Sequence, residues 1–389
     1  MYMRIRGNSM TRNRLLGFAV LLLILHHLVF LPFPGEGAVP RRFSLAAAGD
    51  ALIHKKVYTA ARKKDGSYDF RPMLRLVKSR ISAHDLAFYN QETILGGTEL
   101  GLSTYPRFNS PREVGDAFLD AGFNLVSLAN NHTLDRGEKG VLRSLEYWKG
   151  KKQALSSGSF AAGKEAEGLR TVKVNGITCA FFAYTTATNG LRAPKGSEHY
   201  VAVYTPDKVE ADIKKARGKA DVVIVSMHWG SEYVFTPTPE QTQIAAHLAS
   251  LGVNLVIGHH PHVVQPVAMV ESTLVIYSLG NFLSGQDRLE RQIGLLVSLD
   301  VVKTEMRGET RISFENVTAT LLYNPRSSPF GRHAVIPFDM LKGAILKDFP
   351  AVHKKYASYV KKSPLVTMRA PASEPVRKKA PTAKKGRGK

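Results

Sequence analysis

The chain has 389 residues, 44% of them hydrophobic and 22% charged, which excludes a wholly disordered or collagen-like protein and leaves room for a substantial core. Against 32 acidic residues stand 54 Lys and Arg, a formal net charge of +22 that fits anionic partners, whether nucleic acid, lipid or polymer. A single cysteine, Cys179, excludes an intramolecular disulfide, and its apolar neighbours Ile177, Ala180, Phe181 and Phe182 predict a buried structural thiol.

Residues 1–40 read as a signal peptide or membrane anchor. Arg4, Arg6, Arg12 and Arg14 precede a stretch, 15–33, that is apolar apart from His26 and His27. A basic flank before an apolar run is an export signal, and this run approaches the length of a membrane span. The arginines stay inside, so the rest is expected outside. That predicts a single-pass cell-membrane protein with an extracytoplasmic domain. Cutting after Gly37 gives a periplasmic or secreted form instead.

From 41 to 325 short β-rich runs alternate with helical stretches. The expected strands are 43–48, 86–90, 124–129, 177–184, 221–227, 255–258 and 274–279. Several are almost wholly apolar, as strands covered on both faces are. Val174-Asn175-Gly176-Ile177 reads as a hairpin turn. Ser110-Pro111, Thr205-Pro206 and Thr238-Pro239 each read as an N-cap followed by a first-turn proline. The order predicts an α/β fold with a layered, covered sheet. Residues 326–365 read as a helical appendage centred on 338–360. Residues 366–389 read as a disordered basic tail, suited to tethering on anionic envelope material or phospholipid.

The chemistry gathers just after the apolar strands, where α/β proteins build sites. These ends deliver Gly49-Asp50; Asn90-Gln91-Glu92; Asn130-Asn131-His132 with Asp135; His228-Trp229-Gly230 with Glu232; His259-His260-Pro261-His262; and Gly280-Asn281-Phe282. Each alone has an ordinary reading as a turn, a cap or a packed polar residue, and Trp229 reads as packing beside its strand end. Together they bring carboxylates, amides and five histidines to one rim. That set suits one or two divalent ions such as Mn, Fe, Zn or Mg. The lack of thiol ligands argues against a structural zinc site. No Gly-x-Ser-x-Gly elbow and no phosphate-binding loop ending in Lys-Ser or Lys-Thr occurs.

This series, in this order over about 43–283, resembles the CapA family, associated with poly-γ-glutamate capsule synthesis. That family in turn resembles the calcineurin-like metallophosphoesterases. The resemblance implies a two-sheet β-sandwich flanked by helices with a dinuclear metal centre at the strand ends. It also implies ligands at Asp50, Glu92, Asn131, His228, His260 and His262, and a leaving-group histidine at His132. Asn90, Asn130, Asp135, Glu232 and Asn281 fall in supporting or substrate positions. The phosphoesterase pattern begins Asp-x-His, whereas Ala51-Leu52 follows Asp50 here, with His54 further on.

Two functions stay open. One is a metal-dependent hydrolase acting on an anionic envelope substrate, a phosphoester or an amide-linked polymer. The other is a non-catalytic, membrane-anchored component of a capsule synthesis or export complex that binds the polymer. Nucleic-acid binding is disfavoured, because the basic tail lacks interleaved aromatics and export removes the target.

Overall fold

The structure is a computed structural model that describes residues 39–161, 168–193, 200–306 and 308–373. The anchor expected over 15–33 and the tail beyond 373 lie outside the described residues. No described helix is long and apolar enough to cross a membrane. Among the described residues, 39, 304–306 and 308–310 fall in a unit of their own; the two sheets and their helices belong chiefly to the unit formed by the other described residues.

The strands in chain order are β1 (Arg41–Leu52), β2 (Leu86–Asn90), β3 (Leu125–Ser127), β4 (Leu155–Ser157), β5 (Thr171–Val174), β6 (Ile177–Thr185), β7 (Val222–His228), β8 (Leu255–His259), β9 (Val267–Val270), β10 (Thr273–Ile276), β11 (Asn281–Ser284), β12 (Ile293–Met306), β13 (Glu309–Tyr323), β14 (Ile336–Pro337) and β15 (Thr367–Met368). The helices are α1 (Lys55–Ala61), α2 (Arg71–Ser82), α3 (Glu113–Asp120), α4 (Gly137–Lys149), α5 (Pro206–Ala216), α6 (Pro239–Ser250), α7 (Leu289–Gln292) and α8 (Phe349–Val360).

Two sheets carry the fold. The first runs β14-β13-β12-β1-β2-β3-β4, with β11 also on β1 and β15 on β13; the second runs β5-β6-β7-β8-β10-β9. One core lies between them, where Leu45, Ala47 and Phe88 of the first sheet meet Phe181, Ile224 and Ile257 of the second. The alternate residues face helices. Ala46, Ala48 and Ala87 pack with Val57, Leu74 and Phe118 of α1 to α3. Val223, Val225 and Val256 pack with Ile213 of α5 and Leu248 of α6. Period-two alternation therefore assigns each strand residue to one of two covered faces. The expected α/β sandwich flanked by helices is present.

Local signals behave as their chemistry dictates, with exceptions. Asn175 and Gly176 adopt positive φ in the two-residue turn between β5 and β6, as a tight hairpin requires. Thr205 caps α5, and Thr238 with Gln241 forms a capping box on α6. Ser110 does not cap a helix. Its hydroxyl donates to Thr93 Oγ1 at 2.8 Å, and α3 starts at Glu113. Cys179 is buried, and burial pushes its thiol up to about 12. The expected strand over 274–279 ends at Ile276, and β12 and β13 have no counterpart among the sequence expectations. The segment after 325 is part of the core, because Phe338, Phe349, Tyr356 and Val360 pack with the inter-sheet cluster. The chain also stays in the fold beyond 365. Val366 is buried, and Thr367–Met368 pair with β13.

Candidate metal centre

The parallel strands β1, β2 and β3 end on the same side, as do β7 and β8, and the two sets meet across the inter-sheet gap. On the first sheet Asp50 pairs in register with Asn90 on one side and Asn281 on the other. Its position depends on a bulge. Ala48 and Ala51 both pack against the helix layer although they are three residues apart, so one extra residue lies between them. The extra residue turns Asp50 away from the helices. Gly49 makes this geometry feasible, since a Cβ there would sit 1.8 Å from the Gly280 carbonyl oxygen. Asp50 N donates to that carbonyl at 3.0 Å.

On the second sheet the alternation that sends Ile224 and Ile257 into the inter-sheet core also sends Ser226, His228 and His259 there. The chain then turns through His260 and His262, both at positive φ. Such non-glycine strain persists only where the surroundings fix it. Here Trp229 N donates to His259 O at 3.1 Å, Tyr233 N to Pro261 O at 2.7 Å, and His260 N to Asp50 Oδ2 at 3.4 Å. Trp229 is wholly buried and donates to Tyr277 O at 2.9 Å, a packing role.

The side chains converge. Asn90 Nδ2 donates to Asp50 Oδ1 at 2.8 Å, and His262 Nδ1 lies 3.2 Å from Asp50 Oδ2. His228 Nε2 is 2.9 Å from Asn131 Oδ1, His228 Nδ1 is 2.7 Å from His259 Nδ1, and His259 Nε2 is 2.7 Å from Ser226 Oγ. The amide oxygen only accepts, so His228 donates through Nε2 and accepts through Nδ1. His259 then donates through Nδ1 and accepts the Ser226 hydroxyl at Nε2. Four sets of three ligand atoms lie within 4.8 Å of one another: Asp50, His228 and His259; Glu92, His228 and His260; Glu232, His260 and His262; Asp50, Glu92 and His262.

Glu92 is fully buried, yet neither carboxylate oxygen has a hydrogen-bond partner among the described residues. His262 Nε2 and His228 Nε2 stand 3.7 Å and 3.8 Å from its Oε1. Those gaps are too long for hydrogen bonds, but they fall within the span of two ligands sharing one divalent ion, whose bonds are about 2.0–2.2 Å each. Burial, then the neighbouring Asp50 charge, pushes the Glu92 carboxyl well above the usual carboxylate range. Burial pushes the Asp50 carboxyl up, but His262, His259 and the Asn90 hydrogen bond together outweigh it and hold the carboxyl below its usual range. Burial and then mutual repulsion push His228 well below the usual imidazole range. Burial takes His259 and His260 down to about 4. The rings are neutral near pH 7, the form that ligates metals. A carboxylate without donors amid neutral imidazoles fits a divalent cation.

His132 sits at the edge. Its Nδ1 is 2.7 Å from Asp135 Oδ2, which also accepts from Phe108 N at 2.6 Å. Asn130 supports the loop, accepting from His132 N at 3.0 Å and donating to Gln91 O at 3.0 Å. Asn281 donates to Gln286 Oε1 and Arg291 O. Glu232 reaches the cluster from the exposed side, its Oε1 4.0 Å from His262 Nε2. His54 takes no part in the four ligand sets; its Nδ1 lies 2.9 Å from Leu52 O, to which it donates when protonated. His259 was counted among the five rim histidines but given no ligand role, although period two along β8 places it on the same face as Leu255 and Ile257.

Residues 44–286 match the family described as Bacterial capsule synthesis protein PGA_cap. The chain belongs to that family. This PGA_cap chain is 30% identical over 184 residues to the PGA biosynthesis protein CapA of Bacillus subtilis strain 168, covering 47% of this chain and 48% of that one. It is 33% identical over 186 residues to the capsule biosynthesis protein CapA of Bacillus anthracis, covering 46% and 44%. The chain thus spans about half the length of the curated relatives it matches. Among solved structures, the 5'-nucleotidase precursor from Thermus thermophilus is similar over 70% of this chain and 54% of that one, at 13% identity and a TM-score of 0.41.

Proposed function

We propose that this PGA_cap protein is a metal-dependent hydrolase of an anionic envelope substrate, working outside the cytoplasm in capsule polymer synthesis. The observation that carries the reading is Glu92, a buried carboxylate with two unpartnered oxygens facing His228 and His262. In an apolar interior an unpaired carboxylate is costly, and a bound cation removes that cost.

Asp50, Glu92, His228, His260 and His262 would hold the ion or ions, with His259, Asn131 and Glu232 beside them. A bound divalent ion supplies Lewis acidity and lowers the pKa of a water it holds. The remaining work falls to the chain. Asn90 orients Asp50 by its hydrogen bond. Asp135, fixed by Phe108 N, holds the His132 ring through Nδ1. His132 Nε2 is left to pass a proton to the departing oxygen of the substrate. The net positive charge of the chain would favour approach of an anionic substrate.

A second reading has its own observation. His54 belongs to none of the four ligand sets, so one ligand position of a two-ion centre is unfilled by it, which favours a polymer-binding assembly component without turnover. One experiment separates the two. The full chain is loaded with manganese, its metal content measured, and hydrolysis of a generic phosphodiester followed beside Glu92→Ala and His260→Ala. Metal-dependent turnover lost in both variants supports the hydrolase. Stoichiometric metal without turnover leaves the assembly component, and no metal uptake removes the site itself.

A further inference from the structure

Beside the metal ligands stands a guanidinium that the chemistry above does not use. The Arg291 guanidinium carbon lies 3.4 Å from the centre of the Tyr233 ring. Its Nε is shielded from solvent and has no hydrogen-bond partner, and no ion pair to this arginine occurs among the described residues. This differs from an ordinary surface arginine in a basic protein, which waves free in water.

The placement of the pair is fixed from the cluster outward. Tyr233 takes positive φ, and its N–H is held by Pro261 O in the ligand turn. Its ring centre lies 6.1 Å from that of His262. Its hydroxyl accepts from Gln286 Nε2 at 3.3 Å, and Gln286 Oε1 accepts from Asn281 Nδ2 at 3.0 Å. The same Asn281 amide donates to Arg291 O at 2.9 Å, and Asn281 lies in register with Asp50. The Asn281 amide, on the strand beside Asp50, therefore ties together the Arg291 backbone and, through Gln286, the hydroxyl of its aromatic platform.

We infer that Arg291, stacked on Tyr233, is an oxyanion-recognition residue that grips an acidic group of the substrate next to the metal cluster. The inference rests on the proposed function for the substrate's place at that cluster. Stacking on an aromatic face pre-organises the fork and leaves its N–H edge for a ligand. A planar fork of donors matches the paired oxygens of a carboxylate or a phosphate. Arg291 is thus a binding and positioning residue, not a group that reacts.

Binding of inorganic phosphate and of glutarate is measured by calorimetry on the full chain, once treated with chelator and once loaded with manganese. Arg291→Gln is compared with Arg288→Gln, which removes the same charge from the exposed neighbouring arginine. The expected result is binding weakened about ten- to a hundred-fold in Arg291→Gln, the loss of one charge-assisted bidentate pair. Arg288→Gln stays within about twofold, and Tyr233→Leu loses part of the affinity. The anion bound more tightly identifies carboxylate or phosphate as the group gripped. Equal loss in both arginine variants, or none in either, overturns the inference, as does a wild-type chain that binds neither anion. Metal content is measured in the same samples. Failure of the wild type to take up manganese removes the proposed hydrolase, while the chelated arm still reports on Arg291.

Discussion

At the scale of single residues, the proposed hydrolase would divide its site into groups that hold charge and one group that moves a proton. His132 would be of the second kind. Its Nδ1 is engaged by Asp135 at 2.7 Å, and it belongs to none of the four ligand sets. His132→Asn is therefore expected to lower turnover by about 100- to 10,000-fold while metal content stays unchanged. The loss should shrink on a substrate whose leaving group is already a weak base. An equal loss on good and poor leaving groups would remove His132 from the proton-transfer role. Most of this constellation was legible, because carboxylates, amides and histidines immediately after apolar runs have few other reasons to cluster. Tyr233 and Arg291 were not legible, since a cation over a ring leaves no spacing in the sequence.

At the scale of elements, the strands that were plain from sequence are those covered on both faces. β6, β7 and β8 are nearly continuous apolar runs, and no other reading suits them. β13 was not plain, since Glu315-Asn316 sets two polar residues in succession, with Asn316 at positive φ, and shifts the period-two alternation between Phe314 and Val317. The bulge at Gly49 was hidden for a different reason. It exists only relative to two neighbours, β2 and β11, whose register the sequence does not display. Its energetic weight is testable. Gly49→Ala forces a methyl group against the Gly280 carbonyl, and overpacking of this kind costs about 3 kcal/mol or prevents folding. Denaturant unfolding would measure it; a variant as stable as the parent would show that β11 can move away freely.

At the scale of the whole molecule, the unusual feature is how many imidazoles are buried. Burial takes His54, His259, His260 and His333 each down to about 4. In the unfolded chain they take up protons near pH 6.5. Between those values the unfolded state binds more protons, so the metal-free protein loses stability as pH falls from about 6.5 to 4. His333 lies outside the metal cluster and, at positive φ, tolerates asparagine. His333→Asn should flatten the acid limb by roughly 2 kcal/mol between those pH values. An unchanged slope in pH-dependent melting would show that this ring is not among the groups responsible. A substantial core was foreseeable from composition, whereas which histidines are interior followed only from the sheet faces.

The run of hydrogen bonds from Ser226 through His259 and His228 to Asn131 has a direction, every proton pointing toward the amide. His228 cannot offer Nε2 to an ion while that nitrogen carries hydrogen. To do so it must become the other tautomer, which obliges His259 to do the same and the serine hydroxyl to rotate. No net charge is gained or lost by this reversal. Occupancy of the centre would thus be recorded in the polarity of a buried hydroxyl two residues back along β7, inside the core of the sandwich.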